Sequence, residues 1–221
     1  VMSRWFDLLV KYEYSGRADF ISYCEKELYN LQKWENRINL FERVEQCTDP
    51  ENIDLHIEMR YHFAEVAQHQ NNLSVAMRYF KKVLEIDESS VDARWSILCC
   101  QIGCTDNKEI SGKVDGISSI DEITGILKYC SAKAKQKALL DKVLNAIFAR
   151  SQKQVSAQII EKCAHLFDEL IKYYPENRED DVERLMRFAA NCKINRSFEL
   201  AIHYYGLALN LDDHLHDAYW G

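Results

Sequence analysis

The sequence contains few residues that end helices. Only two prolines and seven glycines occur among 221 residues, and Gly103, Gly112, Gly116 and Gly125 lie in one short region. Proline removes an amide hydrogen, and glycine costs about 1 kcal/mol in a helix interior. Since long stretches lack both residues, the composition predicts an all-α protein.

Long apolar runs and an export signal are also missing. No run of about 18 apolar residues occurs, which is the length that a membrane-spanning helix needs. The first residues lack the basic, apolar and small-residue order of a signal peptide. We therefore expect a cytoplasmic protein with no membrane contact. Since the first residue is Val1 and the last six residues resemble a helix start, we expect a piece of a longer protein.

Motifs of catalysis and metal binding are absent as well. The sequence has no glycine-rich phosphate loop, no His-Glu-x-x-His and no Gly-x-Ser-x-Gly. Cys99, Cys100 and Cys104 form the densest cysteine cluster, but no second ligand pair of the kind that structural zinc sites need follows it. His214 and His216 are interpreted as exposed turn residues. We expect no enzyme activity, no metal and no cofactor.

Net charge and cysteine content give further information on the class of protein. The net charge of −7 argues against a dedicated nucleic-acid binder, because such proteins need basic surfaces to neutralise phosphate. The eight cysteines lie along apolar helical faces in a chain large enough to form a core without disulfides. We expect free buried thiols.

The sequence repeats itself at a shift of 125 residues. Phe63-Ala64 falls on Phe188-Ala189, and Asp92-Ala93 falls on Asp217-Ala218. The matched positions are mostly apolar and spaced by threes and fours, which is the face that a helix buries. Each copy predicts two helices, the first at about 54–68 and 180–193, the second ending near 87 and 212. Further matches are Ala76 with Ala201, Tyr79-Phe80 with Tyr204-Tyr205, Leu84 with Leu209 and Asp87 with Asp212.

These stretches resemble the tetratricopeptide repeat. Its second helix has a small residue, an aromatic residue four later, a small residue three after that, and proline five further on. Three positions depart from the family pattern. Arg60 or Leu185 lies where an aromatic residue is expected early in the first helix, and Ala67 or Cys192 lies where a tyrosine is expected near its end. Glu88 or Asp213 replaces the proline. The matching sets are Phe63, Ala64, Ala76, Phe80 and Val83; Phe188, Ala189, Ala201, Tyr205 and Ala208; and, for the second helix of a third repeat, Cys163, Phe167, Leu170 and Pro175.

The resemblance implies a right-handed α-α superhelix (solenoid) of about five to six antiparallel helix pairs. We expect N-terminal repeats at 1–100, including the pair at 54–88, and an irregular loop at 101–118. The C-terminal repeats at 119–221 include pairs that end near 175 and 213. A capping box, Ser119 to Glu122, is predicted to start a helix after the loop.

The repeated Asp-Ala-x-Trp element is interpreted as the start of the next helix pair. Asp92 suits the positive end of a helix dipole, and Ala93 and Trp95 suit its packing face. The closing copy, Asp217 to Trp220, predicts the start of a further repeat. It is also similar to helical-repeat tails that bacteria attach to zinc-ribbon or J-domain modules, which implies a co-chaperone or regulatory context.

The resemblance implies a non-catalytic scaffold or adaptor that binds a protein or peptide on its concave surface. Some repeats of this family clamp a chaperone's carboxylate tail with lysine and asparagine. The asparagine position is Glu65 or Ala190 here, so we do not expect that ligand.

The stretch 133–153 is the best candidate for an electrostatic contact. Its basic residues are predicted to form one solvated face, which leaves docking of an acidic peptide or RNA as the alternative to a face without a partner. Our candidate partner-binding residues are Lys133, Lys137 and Lys142, with Arg60 and Glu65 on the first helix of the 54–88 pair. The charged residues of the stretch are Lys133, Lys135, Lys137, Lys142, Arg150 and Lys153, against Asp141.

Overall fold

The described part of the chain is helical. The computed structural model describes residues 33–107, 109–174, 178–212 and 214–215. Within these ranges the chain has α-helices, one 3-10 helix at Val114–Gly116 and no strand, so the all-α prediction is confirmed. The α-helices are α1 Trp34–Cys47, α2 Ile53–His69, α3 Leu73–Leu84, α4 Val91–Gln101, α5 Ile110–Lys113, α6 Asp121–Leu127, α7 Lys133–Ser151, α8 Ala157–Ile171, α9 Arg178–Ile194 and α10 Phe198–Leu211.

Two compact units make up the chain, and the division between them lies between Asp106 and Asn107. Unit 1 contains α1 to α4, and unit 2 contains α5 to α10. Among the helices of the described residues, none is both long enough and apolar enough to cross a membrane.

Two helical hairpins have matching bounds. One hairpin is formed by α2 and α3, the other by α9 and α10. Their first helices begin at Ile53 and Arg178, which lie 125 residues apart. Their second helices begin at Leu73 and Phe198, again 125 residues apart. The predicted first helices therefore agree with the structure to within two residues. The second helices end at residues 84 and 211, where 87 and 212 were expected.

A left-handed residue ends the first helix of each hairpin. Asn71 has φ 59° and Arg196 has φ 60°. The amide of the following residue donates back to the helix, from Asn72 to the carbonyl of Ala67 at 2.8 Å and from Ser197 to the carbonyl of Cys192 at 3.0 Å. This turn pairs carbonyls that the helix end leaves open, so the backbone enters the second helix in the same way in both hairpins. The side-chain caps differ, because Asn72 accepts from the amide of Val75 whereas Ser197 makes no such bond.

Three aromatic rings join α1, α2 and α3 in the core of unit 1. Phe63 stacks on Phe41 with ring centroids 4.4 Å apart, and Tyr79 meets both rings edge-on. The Tyr79 hydroxyl donates to Glu42 Oε1 at 3.1 Å. The rings are buried, and the hydroxyl gives the only polar atom of the cluster a partner.

The same arrangement joins α8, α9 and α10 in unit 2. Phe188 stacks on Phe167 with centroids 4.5 Å apart, and Tyr204 meets both rings edge-on. The Tyr204 hydroxyl donates to Asp168 Oδ1 at 2.8 Å. The duplication therefore covers three helices in each unit, with α1 and α8 as the additional matched helices.

The segment 101–118 is not an irregular loop throughout. It contains α5 and the 3-10 helix, which pack against α7 in unit 2. Ile110, Val114 and Ile117 are buried at spacings of four and three residues, which is a short helical periodicity. The glycines between these positions favoured a loop in the sequence-based prediction. The following helix begins at Asp121, near the predicted start, but Ser119 Oγ accepts from the amide of Asp121 at 3.1 Å instead of from Glu122.

The first Asp-Ala-x-Trp copy starts α4 as predicted. Asp92 lies in the first turn, and Ala93 and Trp95 are buried. Cys163, Phe167 and Leu170 are buried along α8, as expected for a packed second helix. Three predicted features lie outside the described residues: the part of the N-terminal repeats before residue 33, Pro175, and the closing copy from Asp217 to Trp220.

Candidate functional site

Helices α7 and α9 pack side by side, and each is the first helix of a pair. The buried amide of Asn191 donates to the Phe148 carbonyl at 3.2 Å and to Ser151 Oγ at 2.9 Å. Asn195 Oδ1 accepts from the amide of Val155 at 2.8 Å, just after α7 ends. This polar network holds the C-terminal end of α7 to α9, because buried polar groups are costly to separate from their partners.

A pocket of about 210 Å³ opens between these two helices. Phe148 and Leu144 form its apolar base, and both are buried. The pocket is large enough for one or two side chains of a partner. The remaining lining residues are polar: Lys137, Asp141, Asn145, Asp180, Glu183, Arg184 and Arg187.

Some of these charges are already paired. Asp141 Oδ1 accepts from the Tyr174 hydroxyl at 2.9 Å, and burial together with this carboxylate raises the pKa of Tyr174. The Arg184 guanidinium lies 4.0 Å from the centre of the Tyr174 ring and forms ion pairs with Asp181 at 2.8 Å and Asp180 at 3.6 Å. These groups form the wall of the pocket and have little left to offer a ligand.

Lys137 and Arg187 supply the other two positive charges of the pocket. Within the described residues, neither Lys137 nor Arg187 forms an ion pair. Both are exposed, and the Arg187 guanidinium lies 4.2 Å from the centre of the Phe148 ring. Stacking on the buried ring restrains the guanidinium while its N–H groups remain available at its edge. Glu183 is exposed beside them and, in the same ranges, also has no ion pair.

The basic stretch does not form one face, contrary to our expectation. Each residue turns a helix by about 100°, so Lys135 and Lys142 lie about 140° to 180° around α7 from Lys133 and Lys137. All four are exposed. Of the other two basic residues, Arg150 is paired with Asp115 at 2.7 Å, and Lys153 follows the end of α7. The structure brings only Lys137 into the pocket.

The two candidates in unit 1 have local partners. Arg60 Nε donates to Glu45, and its terminal nitrogen donates to the Lys82 carbonyl at 3.0 Å. Glu65 forms an ion pair with His62 at 3.2 Å. Arg60 therefore links α1, α2 and α3, which makes its guanidinium a structural group.

The cysteines whose side chains the structure describes are buried. Of the eight, Cys99, Cys100, Cys104, Cys130, Cys163 and Cys192 are buried and form no disulfide with another described residue, which confirms the expected buried thiols for these six. Burial raises the pKa of Cys100 to about 12, so the nucleophilic thiolate is scarce near neutral pH. No group of three or more histidine, cysteine or acidic side chains within the described ranges is placed to hold a metal ion.

Arg187, Phe148 and Glu183 were not among the predicted site residues. Their signal is the polar spacing of α9, where Asp180, Glu183 and Arg187 follow at three and four residues and share a face. The acids of this group also lie in the first two turns of α9, where a negative charge suits the helix dipole. Phe148 is a core residue and also lines the pocket.

No family model matches the chain, and no curated protein matches it significantly. The basis for a function is therefore the set of contacts and charges in the α7–α9 pocket.

Proposed function

We propose that the chain is a non-catalytic scaffold that binds an acidic segment of a partner protein in the α7–α9 pocket. The observation that carries the proposal is the pair Lys137 and Arg187, which line the pocket with the buried Phe148 ring and form no ion pair within the described residues. A carboxylate of the partner would supply the missing counter-charge, and an arginine restrained by stacking loses little freedom on binding it.

The proposal includes a tetratricopeptide-like superhelix. The repeated hairpins, the matching left-handed turns and the duplicated aromatic clusters support this architecture. In such a stack the first helices line the concave surface, and α7 and α9 are consecutive first helices. The pocket then belongs to the surface that repeats of this kind use for peptides.

The charges of the pocket favour a protein segment over RNA. Asp141, Asp180 and Glu183 lie around the two cations and would repel a continuous phosphate backbone. A flexible peptide can turn a single carboxylate toward Lys137 and Arg187 and keep its other carboxylates in solvent, and its backbone amides can meet Glu183. The distribution of Lys135 and Lys142 on another side of α7 also removes the continuous basic track that RNA binding needs.

The test is a titration of a fluorescein-labelled ten-residue glutamate peptide, followed by fluorescence anisotropy at low salt. We expect saturable binding, weakened by about tenfold or more in Lys137→Gln or Arg187→Gln, because each loses a charge-assisted contact. A ten-residue glutamine peptide should not bind.

Lys135→Gln is the matched control, since it removes the same charge from α7 outside the pocket. It should change the dissociation constant by less than about twofold, because screening weakens distant charges. Equal losses in Lys135→Gln and Lys137→Gln, or binding of a twelve-nucleotide RNA at the same positions, would refute the pocket model.

A further inference from the structure

Tyr174 is a buried residue beside the α7–α9 pocket. It is 7% exposed, and it lies outside the lining of the pocket. Its hydroxyl donates to Oδ1 of Asp141 on α7 at 2.9 Å. Its ring centre lies 4.0 Å from the guanidinium of Arg184 on α9. One side chain therefore contacts a charged residue on each of the two helices that form the pocket.

The hydroxyl of Tyr174 engages a carboxylate that would otherwise compete for Lys137. Lys137 and Asp141 are four residues apart on α7, a spacing at which opposite charges commonly pair. Within the described residues, Asp141 accepts from Tyr174 and forms no ion pair with Lys137. A hydrogen bond to a charged group is stronger than an exposed ion pair along a helix, which favours the contact with Tyr174. The ammonium group of Lys137 is thereby left for a ligand.

The ring of Tyr174 acts on the other wall of the pocket through Arg184. A guanidinium is attracted to the face of an aromatic ring, which restrains the direction of the arginine side chain. Arg184 in turn forms ion pairs with Asp181 at 2.8 Å and with Asp180 at 3.6 Å. Asp180 lines the pocket, so the carboxylate of a second pocket residue already has a partner inside the protein.

We propose that Tyr174 is a positioning residue that sets the preference of the pocket for an acidic segment. It acts by holding one pocket carboxylate directly and another through Arg184. Two of the three acids that line the pocket are engaged in this way, and Lys137 and Arg187 are the cations that meet the partner's carboxylate. The inference rests on the proposed function, because it names what makes that same site selective.

Loss of the Tyr174 hydroxyl can weaken binding by two routes that are separable. A loosened wall changes the shape of the pocket, whatever the charge at position 141. A released carboxylate acts through its charge, so neutralising Asp141 reverses its effect. Comparison of Tyr174→Phe with Tyr174→Phe/Asp141→Asn therefore separates a positioning role from a merely structural one.

The test is the anisotropy titration of the labelled glutamate peptide with the whole 221-residue protein and its variants. Tyr174→Phe keeps the ring beside Arg184 and removes only the hydroxyl, so Asp141 can turn toward Lys137. We expect the dissociation constant to rise by about threefold or more, because the released carboxylate pairs with Lys137 and repels the peptide. Addition of Asp141→Asn should restore the dissociation constant to within about twofold of its original value, since asparagine carries no charge.

Tyr204→Phe is the matched control, because it removes the same kind of hydrogen bond from a buried tyrosine outside the pocket, where the acceptor is Asp168 at 2.8 Å. Its dissociation constant should stay within about twofold of the original. Unchanged binding in Tyr174→Phe, an equal loss in Tyr204→Phe, or a loss that Asp141→Asn does not reverse would overturn this inference and leave the proposed function in place. Absence of binding by the original chain would refute both.

Discussion

In each unit, one buried tyrosine hydroxyl forms a hydrogen bond that links two helices. Tyr79 and Tyr204 are fully buried, and each donates to a half-buried carboxylate on the preceding matched helix, Glu42 or Asp168. Burial and the carboxylate both raise the pKa of the hydroxyl, so it remains a donor at all ordinary pH values. The contact fixes the edge-on angle of each ring.

Replacing Tyr204 with phenylalanine tests this contact. We expect the free energy of unfolding to fall by about 1 to 2 kcal/mol, because a hydrogen bond to a charged group is lost while Asp168 can still meet water. Urea unfolding measures the change. Tyr173→Phe is the control, since Tyr173 is 46% exposed, and its effect should stay within about 0.5 kcal/mol. No loss in Tyr204→Phe would show that the hydrogen bond contributes nothing.

Buried thiols predict that stability falls at alkaline pH. Burial is the main cause that raises the pKa of Cys100, Cys163 and Cys192 to about 12 from 9.0. Above about pH 9 the unfolded chain loses thiol protons that the folded chain keeps, so the free energy of unfolding decreases as pH rises. Each thiol contributes up to about 1.4 kcal/mol per pH unit.

Urea unfolding at about pH 8 and about pH 10.5 in the presence of a reductant measures this dependence. Cys163→Ala should flatten the fall, although it also lowers stability at the lower pH by leaving a cavity. Equal stability of the original chain at both pH values would show that these thiols titrate alike in the folded and unfolded states.

At the scale of the secondary-structure elements, the same left-handed turn joins the two helices of both hairpins. Asn71 suits this conformation, because asparagine tolerates positive φ better than most residues. Arg196 does not suit it, because its Cβ atom is sterically strained at positive φ. Glycine, which has no Cβ atom, would avoid this strain. The hydrogen bonds that follow the turn are the same in both hairpins, so the conformation is set by the hairpin and not by the residue.

Arg196→Gly should therefore stabilise the protein by about 0.5 to 1 kcal/mol. Thermal unfolding followed by circular dichroism measures the change as a higher midpoint. Asn71→Gly is the comparison, and its gain should be smaller because asparagine already accepts the angle. A lower midpoint for Arg196→Gly would mean that the arginine side chain stabilises the turn.

Several helices could be predicted from the sequence pattern alone. Apolar residues at helical spacing, repeated at the shift of 125 residues, placed α2, α3, α9 and α10 to within a few residues. Helix α1 was missed as a matched helix because a small residue was expected where Arg37 lies, buried beside Trp34. The pattern Arg37, Phe41, Val44 has the same spacing as Cys163, Phe167, Leu170.

At the scale of the whole molecule, the candidate site depends on contacts that no linear pattern contains. Lys137 was predicted from the local density of lysines, but that density also selected Lys142 on another side of the helix. Arg187 becomes a candidate only when α7 brings Phe148 under its guanidinium and no ion pair forms with it in the described part of the chain. Pairing of charges across helices is a property of packing, so sequence spacing could not predict it.

The central claim is that the pocket charges choose the partner. Its most direct test is the ratio of dissociation constants for ten-residue glutamate and lysine peptides, in the original chain and in Lys137→Glu/Arg187→Glu. The original chain should prefer the glutamate peptide by about tenfold or more, and the reversal should make the lysine peptide the tighter ligand. Lys135→Glu/Lys142→Glu makes the same change in net charge outside the pocket and should keep the original preference. A preference that survives the pocket reversal, or that the control variant loses equally, would contradict the account.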